Sequence, residues 1–366
     1  MRLRTYIFCL SAFVLLFSSC KHPEEPTPFE IAIPYGFPTR LNIPDDNPMT
    51  VEGVALGKRL FEDGHLSGYI STAADSLMSC ADCHKRAHNF DIGTDDPRFP
   101  NGKPHGRTGI HTRHTAMPLC NLVFNLEGYL WNGAVSYQQE VGSQNIEDIV
   151  KAAILATDEI GSTEARTLAA LRNDSRYPEM FKKAFGSEEI TMDRIQKAIA
   201  QYVRSLVSDN SKFDRYLRGI EQLTPQELHG YILFTTEEGA DCFHCHGSGG
   251  SPLFTTNLFY NNGLDISFTD PADRSAVTGD IMDRGAYRAP SLRNISASAP
   301  YMHDGRFQTL DEVLIFYNEG LQYSPYVSPL MHKINEGGRH LTPNEIADLK
   351  AFLETLTDEE FLYGTR

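Results

Sequence analysis

Long apolar runs are scarce in this 366-residue chain. After residues 6–17, no segment approaches the ~20 consecutive apolar residues that a membrane-spanning helix needs, which excludes a polytopic membrane protein. Basic residues are in deficit: 33 Lys and Arg stand against 48 Asp and Glu, a formal charge of −15. Binding to a phosphate backbone relies on Lys and Arg, so no nucleic-acid partner is expected. Long alternating strand patterns are missing, which argues against a sheet protein. Tryptophan occurs once, at Trp131, and cysteine only seven times.

The start of the chain has its own character. Arg2 and Arg4 precede the apolar stretch 6–17, which ends in small serines and Cys20. The stretch is too short to span a bilayer comfortably. It resembles a bacterial lipoprotein signal over residues 1–19, with Cys20 as the lipidated first residue of the mature chain. The alternative is a plain secretory signal. Residues 20–49 are proline-rich and read as an extended tether. The expected location is the periplasm or cell envelope, on the membrane through a lipid anchor.

An exported chain meets an oxidising compartment, where paired cysteines close unless they have another use. Setting aside Cys9 in the signal, Cys20 and the lone Cys120, two pairs remain: Cys80/Cys83 and Cys242/Cys245. Each is followed by histidine, in "CADCH" and "CFHCH". On a helical turn, positions i, i+3 and i+4 share a face. Two thiols can then reach the vinyl groups of one haem while His84 or His246 binds its iron, the reading C-x-x-C-H carries. A zinc ribbon would place its second pair about 15–20 residues on, and the gap here is far longer. A thioredoxin-like redox pair requires neither the histidine nor a second copy. The spacing therefore predicts two c-type haems, with His244 as a spacer that is solvated or packed on the haem edge.

Helical patterns dominate the rest. "VEGVALGKRLF" (51–61) is apolar at helical spacing, and Ile195, Ile199, Tyr202 and Leu206 form one stripe. Capping boxes start helices at Thr224–Glu227, Thr309–Glu312 and Thr342–Glu345, with Pro225 and Pro343 at the first helical position. Long loops are expected near 64–79, 85–115 and 247–290. Each half holds a leading helix, a C-x-x-C-H, a loop and closing helices. The expected fold is mainly α, with two cytochrome c-like domains over 50–215 and 216–366, each carrying one covalent haem.

Several stretches together resemble the bacterial di-haem cytochrome c peroxidases, including MauG-type enzymes. They are "LGKRLFEDGHLSG", "SCADCH", "AMPLCNLVFN", "LWNG", "LTPQELHGYILFTTEEGADCFHCHG", "RAPSLRNISASAPYMHDGRFQTLDEVLIFYNEG" and "LTPNEIADLKAFLETLTD". The resemblance implies that the N-terminal (His84) haem is peroxidatic and the C-terminal (His246) haem transfers electrons. On the helix after "HDG", ordinary members carry methionine and MauG-type members tyrosine; the matching residue is Tyr317. A phenolate favours oxidised iron, whereas methionine raises the potential. Tyr317 also shares a helical face with Leu310 and Leu314, so a plain core role is the alternative, and Met302, Met331 and His332 are rival ligands.

Cleaving peroxide calls for a base. The family's "WDGRA" motif stands here as "WNGAV", and the glutamate that follows it falls at Gln139 or Glu140. Among His88, His105, His111 and His114, His105 is nearest in spacing to a distal-side histidine. The resemblance also implies a calcium ion between the haems. Ser298 and Pro300 are compatible with it, while His114 stands where asparagine is expected and is a poor calcium ligand. The family's inter-haem tryptophan falls at Phe124. The implied function is reduction of hydrogen peroxide with electrons from a small cytochrome c or a cupredoxin. The alternatives are MauG-like oxidation of residues on an unknown protein substrate and a non-enzymatic di-haem electron-transfer cytochrome.

Overall fold

The computed structural model describes residues 25–69, 77–134, 145–248 and 250–364. Thr50 caps α1 (Val51–Phe61), its hydroxyl accepting from the Gly53 N–H at 3.0 Å. The short α2 (Cys80–Cys83) follows, with Asp82 accepting from the Ser79 N–H at 2.8 Å. Four further helices complete the first half: α3 (Ile146–Leu155), α4 (Glu164–Arg172), α5 (Tyr177–Phe185) and α6 (Met192–Arg204). The expected stripe of Ile195, Ile199, Tyr202 and Leu206 is buried, although Leu206 lies just past the end of α6.

The second half runs through α7 (Lys212–Leu217), α8 (Pro225–Phe234), α9 (Phe243–His246), α10 (Arg274–Thr278), α11 (Leu310–Glu319), α12 (Pro343–Glu354) and α13 (Glu359–Tyr363). All three expected capping boxes form, at the starts of α8, α11 and α12. The loop 247–290 contains α10 and a two-stranded antiparallel ladder, β1 (Phe259–Tyr260) with β2 (Tyr287–Arg288), in which Phe259 pairs with Arg288. Two residues per strand are too few to leave a readable alternation.

Buried apolar residues gather into two main clusters. The first draws on Leu56, Phe61, Phe90, Ile154, Phe181 and Ile199. The second joins Phe213, Phe234, Phe254, Leu314 and Phe352. In each, a glycine lets the leading helix touch a later one. A β-carbon on Gly57 would stand 1.9 Å from the Ala198 carbonyl oxygen, and one on Gly230 the same 1.9 Å from that of Asp348. Gly230→Ala therefore forces α8 off α12. We expect it to lower stability by about 1–3 kcal/mol, measured by denaturant unfolding of the haem-loaded protein.

The sequence reading makes 20–49 an extended tether, and the structure corrects its second half. Phe29 N–H bonds the Met49 carbonyl at 3.0 Å, Asn42 N–H bonds Val123 O at 2.7 Å, and Phe37 is buried against Phe124. Proline-rich composition signalled an extended backbone, but the apolar side chains it carries are enough to dock it. Two buried ion pairs reinforce the interior. Arg204 meets Glu147 through two bonds of 2.6 and 2.8 Å, and Arg293 meets Asp214.

Candidate functional site: two haem-attachment centres

Both C-x-x-C-H segments form the expected helical turns. The four cysteines are unbridged and half-buried. Burial pushes each thiol up to about 12. The histidines are held alike. His84 Nδ1 lies 2.7 Å from the Phe90 carbonyl oxygen, and His246 Nδ1 lies 3.1 Å from that of Pro290. A ring that donates Nδ1–H to a carbonyl keeps the Nε2 lone pair for a metal. Burial holds both imidazoles below their usual range, His246 at about 4.

At the second centre, Cys242, Cys245 and His246 line a cleft of about 1320 Å³, part of it open to solvent. Apolar side chains such as Ala240, Leu292 and Val313 line it too. Buried Arg288 also faces the cleft, with Nε and Nη2 lacking a partner among the described residues. Two free thiols, an imidazole with its outer nitrogen available, an apolar lining and an unsatisfied cation suit a covalently held, propionate-bearing porphyrin.

Tyr317 lines the same cleft. Its phenolic oxygen accepts a hydrogen bond from Asn262 Nδ2 at 2.9 Å. Burial pushes the phenol up; the Asn262 bond pulls it down, favouring the phenolate an iron ligand must become. The rivals Met302, Met331 and His332 also border the cleft, but His332 Nδ1 is bound to Asp241 at 3.0 Å.

At the first centre the structure points to a residue that the sequence reading missed. Glu159 is the charge that most raises both the Cys80 and Cys83 thiols after burial itself. Its side chain is solvent-exposed, on a densely packed part of the surface. Burial, with Asp158 adding, pushes its carboxyl up to about 7. The loop after His105 holds it: Arg107 N–H bonds the Glu159 carbonyl at 3.0 Å, and a β-carbon on Gly106 would meet the backbone of Asp158 and Glu159 at 2.5 Å. The available signal was an acidic pair, Asp158–Glu159, closing the apolar run "AAILAT".

Glu140 and Gln139 lie outside the described residues, as does Cys20. His105 is tied to its own loop, its ring nitrogens 2.9 and 3.0 Å from the carbonyl oxygens of Gly106 and Arg98. His114 is engaged by Asp270 at 2.7 Å, and Tyr287 donates to the same carboxylate at 2.7 Å. Ser298 Oγ donates to Asn294 O, and Ala299–Pro300 is cis. Cys120 is a buried thiol. Phe124 does not reach the cleft but packs with Phe37 and Leu253. Trp131 does reach it, donating Nε1–H to Thr115 O at 3.0 Å.

A mainly helical chain with two such centres is built as a di-haem c-type cytochrome. Residues 51–222 match the family model described as di-haem cytochrome c peroxidase. The chain is 32% identical to cytochrome-c peroxidase IdrP1 of Pseudomonas sp. (strain SCT), over 87% of its own length and 84% of the relative. It is 31% identical to the methylamine utilization protein MauG of Methylorubrum extorquens, over 86% and 81%. The chain belongs to the di-haem cytochrome c peroxidase and MauG family, whose members carry two c-type haems. A solved MauG-like protein associated with microbial copper homeostasis superposes with a TM-score of 0.77 at 34% identity, covering 92% of this chain and 98% of that one. The diheme peroxidase BthA from Burkholderia thailandensis, at 22% identity and a TM-score of 0.70, shares the fold.

Proposed function

We propose that this chain is an exported di-haem peroxidase that reduces hydrogen peroxide to water at the His84 centre with electrons relayed through the His246 centre. Haem supplies the redox chemistry when bound; the chain's residues attach it, tune it and handle protons. Cys80, Cys83, Cys242 and Cys245 anchor the two groups, with His84 and His246 as iron ligands oriented by Phe90 and Pro290. Glu159 takes a proton from the incoming peroxide and returns it to the leaving oxygen; the two C-x-x-C-H turns, each with its histidine oriented by a backbone carbonyl, carry the reading. A group near pH 7 does both steps with little penalty. Tyr317 completes the second centre, oriented by Asn262. The division at 215/216, the lipid anchor at Cys20 and a cytochrome c or cupredoxin donor in the periplasm belong to the same reading.

A second reading, oxidation of residues on a partner protein, is favoured by Tyr317, whose phenolate would stabilise an oxidised second centre, and by likeness to MauG. Steady-state peroxide consumption with an artificial donor tests the first. We expect two covalent haems per chain by pyridine haemochrome and sustained turnover. Two haems with no turnover would reject peroxidase action in favour of a carrier or a protein-directed oxidase.

A further inference from the structure

His244 lies between the two cysteines of the second motif, part-exposed and packed on Phe243, and it has polar partners as well. Its Nδ1 stands 2.7 Å from Asp241 Oδ1, and His332 Nδ1 stands 3.0 Å from Asp241 Oδ2. The imidazoles face each other edge to face at 5.1 Å. One ligand atom from each of the three residues falls within 4.8 Å of the others. Glu237 Oε1 lies 3.7 Å from His244 Nε2, on the solvent side. We propose that Asp241, His244 and His332 bind one divalent cation of the zinc–copper type, with water as the fourth ligand.

Two imidazoles and one carboxylate with an open position match zinc or cupric ion; calcium and magnesium call for oxygen-rich sets. The ligand atoms lie within 4.8 Å of one another, and a cation ligated tetrahedrally at ~2.0 Å would draw them to roughly 3.3 Å. Asp241 is 5% exposed, so its carboxylate is fixed rather than swinging in solvent. Arg339 Nη1 touches Asp241 Oδ2 at 3.3 Å but is held mainly by the backbone carbonyls of Gly239 and Glu237. With Glu237 present, the cluster keeps a net negative charge for a cation.

Place gives the site its consequence. Asp241 and His332 border the cleft that holds Cys242, Cys245 and His246. A bound cation would clamp the loop carrying His332 onto the haem-attachment turn. It would also add positive charge at the cleft rim, which favours the reduced state of the group held there.

The test is zinc titration by calorimetry of the chelator-treated, haem-loaded full chain, with His332→Ala and a His229→Ala control. His229 of α8 pairs with Asp348 of α12 and is not one of the cluster's ligands. We expect one zinc per chain, affinity at least about tenfold weaker in His332→Ala, and no change in His229→Ala. Haem content should stay at two in each. No binding, equal binding by His332→Ala, or loss in His229→Ala would overturn the site. Should His332→Ala fail to fold, cupric EPR of the unmodified chain decides: hyperfine coupling to two imidazole nitrogens is expected, and a spectrum with one or none refutes it.

Discussion

Replacing Glu159 with Gln is expected to slow the reaction with peroxide by about 10²–10⁴-fold, with both haems still attached. The substitution keeps size and polarity and removes the proton acceptor. The carboxyl is pushed up to about 7 by burial. A base works only when deprotonated, so the second-order rate with peroxide should climb with pH through about 7 and level off above it. In Glu159→Gln that limb should vanish. Stopped-flow mixing with peroxide across pH 5–9 reads rate and profile together. A variant that reacts at the parental rate, or keeps the limb, would move the proton-handling role elsewhere.

Tyr317→Met should convert the second centre to the ligand set of ordinary family peroxidases. A thioether favours reduced iron where a phenolate favours oxidised iron. The midpoint potential at the His246 centre is expected to rise by on the order of 100 mV or more, with a changed low-spin spectrum. Tyr317→Phe, which offers no ligand, should instead leave that centre open to an added small ligand such as imidazole. Asn262 donates to the phenolic oxygen; Asn262→Ala should push the spectrum partway in the same direction. Spectropotentiometry measures all three. An unchanged spectrum and potential in Tyr317→Met would mean that Tyr317 is a packing residue.

The two attachment motifs were legible because all of their chemistry is local: thiols and imidazole within five residues, on one helical turn. Capping boxes at Thr224, Thr309 and Thr342 were legible for the same reason, since each is settled by four consecutive residues. Glu159 was not. Its place depends on a loop dozens of residues earlier, where Gly106 presses against the Asp158–Glu159 backbone. Counting forward from "WNG" leads to Gln139 and Glu140, which lie outside the described residues. The docking of 25–49 was hidden similarly: Phe37 finds Phe124 and Leu253, residues far away in sequence. The cluster around His244 was hidden likewise, because Asp241 is a neighbour in sequence but His332 is not.

The last helix has a mechanical meaning. Phe361 and Leu362 of α13 belong to the first cluster, and Phe361 O accepts from Arg86 Nε at 2.7 Å, just after the first histidine. Asp358 gathers the N–H groups of Asp209 and Asn210 at 3.0 and 2.9 Å. The polypeptide thus leaves one lobe, builds the other and returns to lock onto the first, like a buckle fastened by its own strap. Cutting between residues 215 and 216 would strip the leading lobe of part of its interior. The chain's end is thereby tied to both halves.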